Sequence, residues 1–142
     1  MNIKVIEFDI LPQDSKDIRE EVFVKEQGFE EEFDTIDNRA LHFVAYDELS
    51  RPLGTCRVFT EDSEVIFYLG RLAVIKEFRA IGIGRELIMA AEDAVRARGG
   101  EYIHLHSQKR AMEFYKKCAY TEFGEVDFEE GCPHIWMKKH LT

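Results

Sequence analysis

The chain has 142 residues, 45% hydrophobic and 33% charged, with three prolines. That length is enough to hide roughly two thirds of the unfolded surface in one core, so a single domain over residues 1–142 is expected and disordered or fibrous classes are excluded. The formal charge of −9 argues against a nucleic-acid partner, whose phosphates need a clustered basic footprint.

No window reaches the roughly 18 apolar residues of a membrane span. The N-terminus "MNIKVIEFDILPQD" lacks the basic start and cleavage site of a signal peptide, so a cytoplasmic location and no membrane partner are expected. Cys56, Cys118 and Cys132 show no C-x-x-C spacing, so neither a disulfide framework nor a metal site is suggested.

In chain order, "NIKVIEF" reads as a short strand. A helix follows near Asp14 to Glu26, with Asp14 as candidate N-cap and Ile18 and Val22 one turn apart. Residues 26–37, "EQGFEEEFDTID", carry six acids and no base, a loop able to attract a cationic substrate or simply to be solvated. "ALHFVAYDE" and "PLGTCRVFTED" read as antiparallel neighbours joined by the turn-like "LSRP". "VIFYLGRLAVI" is apolar enough for a central strand covered on both faces, and Gly70 suggests a bulge or close approach.

The next helix, Ile83 to Arg98, places Ile83, Leu87, Ala91, Ala94 and Val95 on one face, with Gly99 as its stop. "YIHLH" is a further strand, "SQKRAMEFYKKC" a helix, and "VDFEEGCPHIWMKKH" a closing hairpin. A meander followed by strand-helix-strand-helix makes a mixed α/β sheet with helices on both faces. The edge strands and the C-terminal hairpin offer surfaces on which a homodimer could form.

Between the central strand and the long helix lies Arg79-Ala80-Ile81-Gly82-Ile83-Gly84-Arg85. A helix start presents unpaired N–H groups and the positive end of the macrodipole, and glycines let a phosphate approach them. Arg71, Lys76, Arg79 and Arg85 against Glu77 alone give residues 71–85 a net of +3, suited to a small polyanion. A dinucleotide fingerprint would need a glycine where Leu87 stands, and a Walker loop Gly-Lys-Ser/Thr where the chain has Gly-Arg-Glu.

The segment "GRLAVIKEFRAIGIGRELI" resembles the acyl-CoA-binding motif of the GNAT superfamily of N-acetyltransferases, and "AMEFYKKCAY" is similar to the family's A-x-x-F-Y-x-K-x-G-F segment. "EEVFVKEQGFEEEFDTID", "ALHFVAYD", "LHSQ" and "GCPHIWM" look like the ElaA-like branch. The resemblance implies a mostly antiparallel mixed sheet of six or seven strands with helices on both faces, splayed after "LAV" to admit acetyl-CoA as co-substrate. It implies that Leu72, Ala73 and Val74 pair with the pantetheine, that the Val74 N–H meets the thioester oxygen, and that residues Arg79 to Arg85 hold the pyrophosphate. It also implies transfer of acetyl to a primary amine of a small molecule or peptide by direct attack.

Tyr115 matches the family position of the acid that protonates the departing thiolate. Glu32, His42, His106 and His134 are candidate bases for the amine, and Gln108 a candidate substrate contact. Ala119 stands where the family has glycine, which leaves the end of that helix, and so the aim of Tyr115, open. The competing readings are a non-catalytic acyl-CoA-binding sensor or partner module, and an interaction protein that docks through its acidic loop.

Overall fold

The architecture follows from two periodicities. Along residues 41–46 and 52–60 side chains alternate between two faces and burial is nearly continuous, which makes strands with both faces covered, while a 3.6-residue apolar stripe over 83–97 makes the long helix. The computed structural model describes residues 2–29 and 33–142. Seven strands form one sheet: β1 Lys4–Phe8, β2 Leu41–Tyr46, β3 Pro52–Thr60, β4 Ile66–Val74, β5 Tyr102–Gln108, β6 Thr121–Glu129 and β7 Cys132–His140. Their spatial order is β1-β2-β3-β4-β5-β7-β6, antiparallel except for β4 beside β5.

The helices are α1 Gln13–Arg19, α2 Ile83–Ala97 and α3 Met112–Lys117. On β2, Phe43 and Ala45 pack with Leu87, Ile88 and Ala91 of α2, whereas the intervening Val44 packs with Ile18, Val22 and Phe23 on the other side. Alternate residues of one strand therefore meet α1 and α2 on opposite faces, as the expected two-faced sheet requires. All five residues assigned to the buried stripe of α2 are buried, and Gly99, at φ +80°, terminates it.

Three local expectations change. Asp14 is not the N-cap; Pro12 holds that position, and the Asp14 carboxylate instead accepts a 2.7 Å bond from the Tyr46 hydroxyl. The first helix does not continue uniformly to Glu26: residues Glu20–Glu26 form a π-helical turn, with the Gln27 N–H donating to Val22 C=O at 3.1 Å. That widened turn brings Phe23 and Gln27 to the edge of the cleft described below. Ser107 and Gln108 end β5 rather than opening a helix, and a single 3-10 turn, Lys109–Ala111, precedes α3.

The bulge expected at Gly70 lies one residue on. Between the pairs Thr55↔Ala73 and Arg57↔Gly70, β3 advances two residues while β4 advances three. Arg71 takes the left-handed conformation there, at φ +54°, which costs a non-glycine residue about 1 kcal/mol.

Candidate active site

The parallel pairing of β4 and β5 has four rungs, from Ile66↔Tyr102 to Leu69↔Leu105. Beyond it β4 runs on to Val74 along β3, while β5 runs on to Gln108 along β7, ending at Gln108↔His134. The strands diverge just past the bulge, and a cleft of about 470 Å³ opens between them. Gly70, Arg71 and Leu72 line one wall, Leu105 to Gln108 the other, and Tyr115 reaches it from α3. The expected splay is therefore present. Leu72 faces the cleft, whereas the Ala73 side chain is buried toward α1 and the Val74 carbonyl accepts a bond from Arg79 Nε at 2.9 Å.

The turn before α2 separates the roles of its two glycines. Gly82 sits at φ +94°, a geometry that favours glycine, and its carbonyl accepts the first helical bond from Glu86 N–H at 3.1 Å. Gly84 lies inside the helix, where a Cβ would come within 3.0 Å of the Phe114 ring; it lets α2 close on α3. Ala80 is also left-handed, at φ +66°, and Ile81 is exposed. Ile83 is buried beneath the turn, so it anchors the helix start through its side chain.

The two flanking arginines differ. Arg85 is exposed and has no ion-pair partner among the described residues. Arg79, expected to face the phosphates, forms a two-pronged pair with Glu26, both bonds 2.6 Å.

Tyr115 is buried at the cleft floor, and burial pushes its phenol well above the usual range. Its hydroxyl has no hydrogen-bond partner among the described residues. Its position rests on how α3 ends: Tyr120 N–H donates to Tyr115 C=O at 3.1 Å and Ala119 N–H to Lys116 C=O at 3.0 Å, the paired bonds of a Schellman stop. The Tyr115 and Tyr120 rings meet edge-on at 6.1 Å, the apolar contact that accompanies such a stop. Ala119 therefore adopts the left-handed position, φ +73°, that the family fills with glycine.

Across the cleft stand His106 and His134, stacked at 4.7 Å, with His106 also stacked on Trp136 at 4.7 Å. His106 Nε2 lies 2.6 Å from Asp127 Oδ1, and its Nδ1 3.3 Å from Glu129 Oε2. The His134 Nδ1 donates to the Cys132 carbonyl at 2.9 Å, leaving Nε2 3.9 Å from the same Glu129 oxygen. Asp127, Glu129 and Trp136 were not singled out from sequence. Their signal was the two-residue turn Glu130-Gly131, both left-handed, which fixes the β6–β7 register and sets Asp127 opposite His134.

Two candidate bases fall away from this group. His42 is buried outside the cleft, its Nε2 3.0 Å from the Asp37 carbonyl; burial lowers its pKa, and its Nδ1 has no hydrogen-bond partner among the described residues. Glu32 lies outside the described residues. Gln108 lines the cleft but is held by Gln27 at 2.8 Å and Arg110 at 2.7 Å.

The acidic run 26–37 is not a free electrostatic lure at its described positions. Glu26 pairs with Arg79, Asp34 with Arg57 and Arg71, and Asp37 with Arg19 and Arg57. Burial would raise the Asp37 carboxyl, but the bonds and charges of the two arginines outweigh it and hold it at about 2. The hairpin also brings acids to the cleft, with Glu129 and Glu130 in its lining.

Residues 11–141 match the family model described as an acetyltransferase (GNAT) domain. The chain belongs to the GNAT family of N-acetyltransferases. An uncharacterized N-acetyltransferase of Bacillus subtilis, YjcF, is 38% identical over 125 residues, covering 86% of this chain and 87% of the relative. Escherichia coli ElaA has the same fold, with a TM-score of 0.85 at 21% identity over 97% of this chain and 99% of ElaA. An aminoglycoside 6'-N-acetyltransferase solved with coenzyme A superposes with a TM-score of 0.79 at 20% identity, covering 98% of this chain and 97% of that one. For this GNAT domain, acetyl transfer is thus the class of chemistry the cleft has to serve.

Proposed function

We propose that the protein transfers acetyl from acetyl-CoA to a primary amine of a small molecule or peptide by direct attack on the thioester. The observation that carries this reading is the divergence of β4 from β5 past Leu69 and Leu105, with Tyr115 and His106 opening into the same cleft. A pantetheine strand fits beside Leu72 to Val74, and the α2 start with Gly82, Gly84 and Arg85 suits its pyrophosphate. Arg79 joins the phosphate contacts once it leaves Glu26.

The amine enters along the Trp136 and Glu129 side. His106, held by Asp127 through Nε2, takes the ammonium proton at Nδ1, and Glu129 stabilises the resulting imidazolium. Tyr115 donates a hydrogen bond to the sulfur as thiolate character develops. Because burial disfavours phenolate, that bond rather than free proton loss is what the site supplies first. His134, stacked on His106, fixes the ring plane.

Tyr115→Phe is expected to lower thiol release about 100-fold or more while leaving calorimetric acetyl-CoA binding within a few-fold. A Tyr115→Phe enzyme of full activity removes the tyrosine from the mechanism. Wild type that binds acetyl-CoA but acetylates no amine across a broad panel turns the assignment toward the acyl-CoA sensor.

A further inference from the structure

The pair His106 and His134 is arranged in a way that acyl transfer alone does not require. Each ring has one nitrogen committed. His106 Nε2 faces Asp127 at 2.6 Å, and an ionised carboxylate only accepts, so this nitrogen carries a proton. His134 Nδ1 faces the Cys132 carbonyl at 2.9 Å and donates for the same reason. In the neutral rings the remaining nitrogens, His106 Nδ1 and His134 Nε2, carry lone pairs. Both lie against one oxygen of Glu129, at 3.3 and 3.9 Å, and the three atoms fall within 4.8 Å of one another. Three electron-rich atoms so close repel unless a cation, either a proton on one ring or a metal ion, sits among them.

We infer that His106 Nδ1, His134 Nε2 and Glu129 form a binding site for a borderline divalent transition-metal ion of the zinc class, open on the cleft side, where the ion competes with the proton that His106 Nδ1 takes in acetyl transfer. Two imidazoles and a carboxylate are the donor set such ions favour, and a fourth position is left for water. Metal–ligand bonds of about 2.0–2.2 Å place tetrahedral ligands roughly 3.4 Å apart, so the 3.3 Å pair already fits. The half-exposed Glu129 side chain can move to close the rest. The outer contacts are those a metal-binding histidine needs: a carboxylate behind one ring, a backbone carbonyl behind the other. Trp136 stacked on His106 at 26° holds the first ring before any ion arrives.

The test uses the full chain without a histidine tag and without acyl donor, so it does not depend on the acetyl-transfer reading. Zn²⁺ is titrated by calorimetry and Co²⁺ uptake is followed by its visible absorption. One ion per chain is expected, with a cobalt spectrum of low coordination number. His134→Asn should lose uptake, and Asp127→Asn, which keeps all three donors, should weaken it about 10- to 100-fold. Cys132→Ser and His140→Ala should leave it unchanged. Circular dichroism establishes that each variant is folded. No saturable uptake by wild type, an undiminished affinity in folded His134→Asn, or dependence on Cys132 instead would overturn the assignment.

Discussion

Replacing Asp37 by asparagine removes one charge from the network that forms the wall of the cleft. Asp37 takes two bonds from Arg19, each 2.9 Å, and one from Arg57 at 2.8 Å. Arg19 and Asp37 are 1% and 4% exposed, so solvent does little to screen them. Breaking a buried pair by neutralising one partner costs about 3–5 kcal/mol, because the guanidinium loses that partner's charge in a low-dielectric site. For a chain of this size that corresponds to roughly 10–20 °C in Tm.

The carboxyl's own titration supplies an independent check. Its pKa lies at 3.8 ordinarily and about 2 in the folded protein. Since the folded value is the lower one, the stabilisation is complete above about pH 4 and disappears as pH falls through about 2. At about 1.4 kcal/mol for each pH unit of displacement, its full size is about 2 kcal/mol. This is less than the cost of substitution, because the protonated acid can still accept a bond. Urea unfolding of wild type and Asp37→Asn, followed by circular dichroism at neutral pH and between pH 4 and 2, measures both. A loss under about 1 kcal/mol, the size of an exposed pair, or parallel pH profiles for the two proteins, would refute the argument that this network is buried and coupled.

Two further changes test the local readings. Ala119→Gly relieves a left-handed alanine and should gain about 0.5–1 kcal/mol in urea unfolding, the strain saved less the added freedom of the unfolded chain; a loss would mean that the Schellman stop of α3 is not as described. Glu26→Gln frees Arg79 from a half-exposed pair worth at most about 1 kcal/mol, so acetyl-CoA should bind up to about 5-fold tighter by calorimetry. Weaker binding would place Glu26 among the groups that help hold the ligand.

Much of the frame could be read from residue patterns. The stripe Ile83, Leu87, Ala91, Ala94 and Val95 has only one face to bury, and Gly99 marks its end, so α2 needs no tertiary information. The motif residue Tyr115 lines the cleft, whereas the turn residues 79–85 are not part of its lining. What could not be read depends on partners distant in the chain. Arg57 and Asp34 are 23 residues apart and Arg79 and Glu26 are 53 apart, so the acidic run looked free when its described acids at 26, 34 and 37 are neutralised from across the fold. The bulge moved from Gly70 to Arg71 because register, set by β3, outweighs the local preference for glycine. Asp127 and Glu129 became neighbours of His106 only through a hairpin that folds back beside β5.

The short joint between β4 and β5 has a mechanical consequence. Among the described residues, strand pairing joins the plate of β1 to β4 to the plate of β5, β7 and β6 through four rungs, with α2 and α3 packed across the seam. The softest motion of such a body is a change in the angle between the plates. A molecule lying along β4 and touching β5 acts as a brace against it, and every amide near Leu69 and Leu105 should exchange with solvent more slowly when the brace is in place.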